Sequence, residues 1–273
     1  MSLIQSRIEL RPNDRRGGGE QRGWLKTLFT FSVPGHYDGH GLDSFGSLRV
    51  INEDRVKMHN GFGFHSHKEF EIFSYLVHGS LQHKDSMGNV EILKRGDIQL
   101  TSAGTGITHS ETCHGDEDTH FIQIWAMPWK SNLQPKYYTR QFSDEEKRDN
   151  WVSVVAPIGR DGVSSDREGG GPAPVQSDVT LWATLLSSGA VVSHHLPASG
   201  IGPERKAYMQ MIQTSGFNQG AGGGAHVRVH IGEKEVDMRE GDGAFVFGEN
   251  GGAITVENIG DVVAEILLFD VDQ

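Results

Sequence analysis

The sequence predicts an all-β protein built from two similar halves, and three observations carry that reading. Short segments in which apolar and polar residues alternate recur over most of the 273 residues, the period expected of strands that bury one face. Glycine stands at 36 of 273, roughly twice its usual share of about 7%, and it is scattered, as tight turns between strands require. Helix signals are scarce, although an average globular chain is about a third helical.

Taken in order, the opening RIELRPNDRRGGGEQRG (7–23) carries five Arg interleaved with three acids and is expected to be a solvated arm. Alternation begins at SLRVINED (47–54) and continues through EIFSYLVHGSLQHKD (71–85), VEILKRGDIQLTSAG (90–104) and THFIQIWAM (119–127). The turn signals HG, MGN and RGD between or within them fit hairpins. Ser143-Asp144-Glu145-Glu146 has the form of an N-cap with Glu at the third position, and predicts a short polar helix. Strand patterns resume at AHVRVHIGEKEVDM (225–238), GAFVFGENGGAITVEN (243–258) and VVAEILLFDVD (262–272).

GNVEILKRGDIQL (88–100) resembles IGEKEVDMREGDGAF (231–245), with Gly96 and Gly241 standing 145 residues apart. A period near half the chain indicates two copies of one domain, since solenoid repeats run to only ~20–50 residues. The expected division is residues 1–140 and 141–273. GRDGVSSDREGGGPAPVQSD (159–178) is the loop-rich junction, and NQGAGGGA (218–225) is a second flexible stretch without the Gly-Lys-Ser/Thr of a phosphate loop.

A formal charge of −11 argues against a nucleic-acid-backbone binder. The single cysteine, Cys113, excludes a disulfide framework within the chain and points to a reducing compartment. The longest apolar runs, such as AEILLFDV, are too short to span a bilayer as a helix, and no secretory signal pattern is visible. The expected location is the cytoplasm, with the nucleus as the alternative in a eukaryote.

The chemistry is concentrated in two stretches. In FHSHKEFEI (64–72), His65 and His67 are i and i+2, so on a strand they share a face with Cα atoms about 6–7 Å apart. A wet sheet face also carries such pairs. ITHSE (107–111) adds His109 and Glu111 at the same spacing. Together the two strands can close a site of three imidazoles and one carboxylate. That ligand set suits divalent iron, nickel, manganese, copper or zinc and is poor for calcium. Structural zinc is disfavoured because such sites are usually cysteine-rich.

H-x-H-x-x-x-E (65–71) followed by G-D-x-x-x-x-x-A-G (96–104) is similar to the paired motifs of cupins, β-barrels of jelly-roll type. More narrowly, G-F-x-x-H-S-H-K-x-x-E-I-x-S-Y (61–75), L-x-H-x-D-S-M-G-N (81–89) and S-A-G-T-G-I-x-H-S-E (102–111) resemble the pirin family. The likeness is to its microbial branch, described as quercetin 2,3-dioxygenase-like. GWLKTLFTFSVPGHYD (23–38) and QIWAMP (123–128) fit too, so the resemblance is dense over 23–130 and looser beyond.

The resemblance implies a bicupin, two jelly-roll double-stranded β-helix barrels, with one divalent metal, Fe(II) foremost, in the first. Spacing leaves the carboxylate ligand open between Glu71 and Glu111. In cupins generally it would be Glu71, and in pirins Glu111, so the expected ligands are His65, His67, His109 and Glu111. Glu111 is also the expected catalytic proton acceptor, and Glu71 a residue that orients a ligand imidazole. The implied reaction is O2-dependent opening of a flavonol such as quercetin, or a related enol. Two alternatives are an iron-binding regulatory protein with a transcription or metabolic partner, and an ion that only staples the barrel.

The other candidates have plainer expectations. Cys113 shares parity with His109 and Glu111, but a lone thiol is expected as a small buried hydrophobe. His78, His83, His114 and His120 are expected at the surface or in turns. Adjacent His194 and His195 point to opposite strand faces, while His226, Arg228 and His230 form a polar outer face. The 145-residue offset carries His109 and Glu111 onto Ile254 and Val256, so the second barrel is expected to be metal-free and structural.

Overall fold

The structure is a computed structural model and describes residues 5–31, 42–198 and 204–271. The stretch Ser32–Asp38 of the GWLKTLFTFSVPGHYD motif and the final residue of VVAEILLFDVD lie outside those residues. The predicted all-β character holds. Among the described residues the α-helix is Asp144–Lys147, and its Ser143–Glu146 capping box forms as the sequence predicts.

The chain separates into two compact units, one of Gly17–Phe142 with Val154–Asp178, the other of Met1–Arg16, Ser143–Ser153 and Val179–Gln273. This differs from a single division at residue 140. The 159–178 segment is not a free junction. Arg140, 5% exposed, donates to the carbonyls of Ser164 (2.9 Å), Asp166 (3.0 Å) and Arg167 (2.9 Å), which pins that loop to the first unit.

In the first unit, one sheet runs in the order Lys136–Gln141, Asp97–Ser102, Glu71–His78, Thr119–Ala126, Leu48–Val56, Leu25–Phe29, Gly17–Gln21. The other runs Gly61–His67, Ile107–Cys113, Ser80–Asp85, Val90–Lys94. The pairings are antiparallel. Strands distant in sequence lie side by side, as in a jelly roll.

Its core is layered. Leu25, Val56, Leu76, Leu81, Leu93, Cys113 and Phe121 form one apolar cluster with Trp24 and Phe62 packed on it. Ile72, Ala103 and Ile107 form another with Phe70 and Trp125. Several strands run from one cluster to the other, and alternate residues put a polar group between them. Ile107-x-His109-x-Glu111-x-Cys113 does so, as do Ile72-x-Ser74-x-Leu76 and Phe121-x-Gln123-x-Trp125.

The second unit repeats the plan. Arg7–Arg11, Gly243–Glu249, Glu204–Met211, Ala264–Val271 and Val179–Leu186 lie side by side in that order. The facing sheet is Val191–His195, Ala253–Asn258, Gly223–Ile231, Lys234–Glu240. Its main cluster is apolar, with Ile254 and Val256 fully buried in it, and a buried His194–Asp270 pair at 2.9 Å lies in the same unit. Gly96 and Gly241 take equivalent places with φ of +82° and +89°, and their N–H groups donate to Leu76 and Met211 carbonyls at 3.1 and 3.0 Å.

The opening segment is not a solvated arm. Arg7–Arg11 pairs in register with Gly243–Phe247. Asn13 is fully buried, donates its N–H to Asp242 Oδ1 at 2.8 Å, and donates through Nδ2 to the Asn218 and Gly220 carbonyls. The interleaved charges suggested solvation, but the edge of the Gly243–Glu249 strand offers unpaired backbone groups that this segment satisfies.

Candidate metal centre

The structure brings His65, His67 and His109 together, with ring centroids 4.6 to 4.9 Å apart. The cause is register: on adjacent antiparallel strands His65 lies opposite His109, and His67 opposite Ile107. A bulge between His109 and Glu111 shifts the pairing so that Glu111 faces Phe62. The other neighbour of the strand pairs regularly, which keeps His109 and Glu111 on one face, opposite Asp85 and His83.

Each group is held from behind. His65 Nδ1 lies 2.7 Å from the Gly63 carbonyl, so Nδ1 carries the proton and Nε2 keeps its lone pair. That Nε2 is 3.2 Å from His109 Nε2. Glu111, 1% exposed, accepts from Gln123 Nε2 at 2.7 Å and from Ser74 Oγ at 3.2 Å. Trp125 packs edge-on to His67 at 4.8 Å, with Phe70 behind it at 5.2 Å.

The electrostatics favour neutral imidazoles. Burial, then His109 and His65, lowers the pKa of His67 to about 4, against a smaller opposing pull from Glu111. Burial, then His65 and His83, lowers that of His109 to about 3. At neutral pH both rings therefore keep a free lone pair, the state a metal ion requires. His109 Nδ1 is buried without a hydrogen-bond partner. Neutral imidazoles converging nitrogen to nitrogen beside a buried carboxylate fit a divalent transition ion well.

Several expectations are corrected here. Glu71 does not orient an imidazole; it accepts from Ser102 Oγ at 2.6 Å and the Gln176 N–H at 3.1 Å, and burial raises its pKa. It lies on the strand face opposite Ile72 and Ser74, away from the polar layer. His83 and His120 are not surface residues, being 0% and 3% exposed. His120 is bonded to Glu53 at 3.0 Å. His83 is the residue the sequence reading missed: a nitrogen of His83, one of His109 and an oxygen of Glu111 lie within 4.8 Å of one another. Its signal was present, since in Leu81-x-His83-x-Asp85 it shares parity with a core leucine.

Cys113 is buried as expected, with Sγ donating to the Glu117 carbonyl at 2.9 Å. His194 is buried and His195 exposed, on opposite faces as expected.

Two antiparallel barrels, the first with a polar layer of histidine and carboxylate, define the chain as a bicupin with a cluster of metal-ligand type in one half. The sequence model of the Pirin family matches residues 10–126. A protein of Escherichia coli K12 named quercetin 2,3-dioxygenase is 34% identical over 266 residues, covering 96% of this chain and 98% of its own. A pirin-like protein of Caulobacter vibrioides is 29% identical over 225 residues, covering 81% of this chain and 90% of its own. The crystal structure of the bacterial pirin YhhW from Escherichia coli, in complex with nickel(II), is 32% identical, with a TM-score of 0.78 over 97% of this chain and 99% of that one. The chain belongs to the pirin family.

Proposed function

We propose that this protein is a metal-dependent dioxygenase that opens a flavonol such as quercetin, or a related enol, with O2. The observation that carries the proposal is the cluster of His65, His67 and His109, joined through His109 to the buried carboxylate Glu111, in a polar layer walled by two apolar clusters. The name of the Escherichia coli relative supports the substrate class, and the nickel(II) complex of YhhW supports a divalent ion.

His65, His67, His109 and Glu111 would hold the ion. Fe(II) is our first choice, and nickel, manganese, copper and zinc suit the same donors. When bound, such an ion supplies a Lewis acid that lowers the pKa of an enol hydroxyl and holds the substrate beside O2. Glu111, on leaving the ion during turnover, would take the hydroxyl proton, and Gln123 and Ser74 donate to its carboxylate. Trp125 and Phe70 offer aromatic faces beside His67 for a planar ring. The balance is one flavonol and one O2 giving one depside and one carbon monoxide.

The test is incubation of the metal-loaded protein with quercetin, with and without O2. Loss of the flavonol absorbance only in O2, with carbon monoxide released, is the expected result. Equal rates in both, or no loss in either, would sink the proposal.

A further inference from the structure

The polar layer extends past the four residues above. His83 lies directly opposite Glu111 in register and is fully buried. Its Nε2 is 3.1 Å from Asp85 Oδ2. That carboxylate is itself fixed by the N–H groups of Met87 (2.9 Å) and Asn89 (3.1 Å) and by Asn89 Nδ2 (2.7 Å). With donors on both oxygens, the carboxylate is an acceptor for the His83 ring N–H.

With Nε2 committed as donor, the lone pair of His83 resides on Nδ1, which is buried without a partner. Tyr137 stacks on the ring at 4.7 Å and 23°, which fixes its plane. His109 stands between two groups: its Nε2 faces His65, while its Nδ1 is likewise buried and unpartnered. The donor atoms of His83, His109 and Glu111 lie within 4.8 Å of one another, as do those of His65, His67 and His109. Two buried nitrogens without a protein partner, both in one triad of metal-ligand residues, are the free donors that a cation position needs.

We propose that His83, His109 and Glu111 form an inner cation position for a divalent first-row transition ion, sharing His109 and Glu111 with the outer one; where both are filled, His109 gives its remaining ring proton to solvent and bridges them as imidazolate. Asp85 and His83 supply the carboxylate–histidine arrangement that fixes a ligating imidazole. Two nitrogens and one carboxylate select a transition ion over calcium or magnesium. The inference rests on the reading that the outer histidines hold a metal, and it adds a second place for an ion in the same layer.

Crystals of the full chain soaked in cobalt(II), with anomalous data at the cobalt edge, test it directly. The expected map shows an ion at bonding distance, about 2.0–2.2 Å as for zinc sites, from His83 and Glu111. In the His83→Gln variant that peak is lost and the outer one stays, and calorimetric titration shows cobalt affinity or stoichiometry reduced, affinity by ~10-fold or more. A single peak on His65, His67 and His109 with His83 out of reach overturns the inner position and leaves the proposed function standing. Unchanged cobalt binding in His83→Gln does the same. No ion anywhere overturns both. Should His83→Gln fail to fold, the wild-type map alone decides.

Discussion

At the scale of single residues, the polar layer sets imidazoles around one buried carboxylate whose orientation is fixed by specific donors. Gln123 donates to Glu111 at 2.7 Å, so Gln123→Leu should leave that buried charge short of a donor. We expect metal affinity to fall by about 10–100-fold while the melting temperature of the metal-loaded protein changes little; calorimetric titration with nickel(II) checks it. The lowered pKa values give a second prediction, for the metal-free protein. In the unfolded chain His67 and His109 take up protons as pH falls through the ordinary value of 6.5, whereas in the fold they do so only near 4 and 3. Between those limits the unfolded state binds more protons, so the contribution of these rings to stability is present above pH 6.5 and lost as pH falls. Melting temperatures from pH 7.5 to 4.5 should therefore drop less steeply for the His67→Asn/His109→Asn pair than for the wild type; parallel curves would contradict the assignment. The clustering of His65, His67 and His109 was legible from the i, i+2 pairs in two stretches, whereas spacing alone left the carboxylate open between Glu71 and Glu111. His83 was not legible, because a histidine between Gln82 and Lys84 looks like part of a polar strand until pairing places it opposite Glu111.

At the scale of elements, parity along each strand explains both the core and the site. Ile107-x-His109-x-Glu111-x-Cys113 presents apolar, polar, polar and apolar side chains in turn to one interior, and its neighbours match it layer by layer. The turns that set these registers depend on backbone geometry in particular places. Gly96 has φ of +82°, and a Cβ there would stand 2.3 Å from the Phe142 carbonyl oxygen. Gly88, at φ +88°, has nothing within 4 Å. Gly88→Ala should cost only the left-handed backbone penalty, about 1 kcal/mol, and Gly96→Ala clearly more, because the backbone of Phe142 must also move. Denaturant melts of the two variants compare them, and equal losses would refute the steric argument. The repeat of Gly96 in Gly241 was visible in the sequence because turn chemistry is local. The fate of Arg7–Arg11 was not, since an edge strand draws its partner from residues more than 200 positions away.

At the scale of the whole molecule, two barrels of one plan have diverged in their interiors. The first keeps a polar layer between apolar clusters; the second fills the corresponding positions with Ile254, Val256 and their neighbours. The units are not contiguous in sequence. Glu71 accepts from Gln176, Ser177 donates to the Met127 carbonyl at 2.7 Å, and the Ser164–Arg167 carbonyls hold Arg140. A fragment of residues 17–178 should therefore melt higher and resist protease longer than one of residues 1–140, which lacks those partners and retains an opening strand with nothing to pair. The reverse order would show that the unit boundaries are misplaced. No helix among the described residues is long and apolar enough to cross a membrane.

The sequence by itself determined the all-β class, the duplication, the capped helix at Ser143 and the two strands that bear His65, His67, His109 and Glu111. These depend on alternation, turn residues and capping, whose physics operates over a few residues. Only the tertiary structure decided that His83 and Asp85 turn inward to that layer, that Glu71 serves Ser102 and Gln176, and that residues 5–16 belong with the second barrel. Each of those outcomes depends on which strands pair and in what register, and that is settled by burying apolar surface and satisfying backbone groups across long sequence separations.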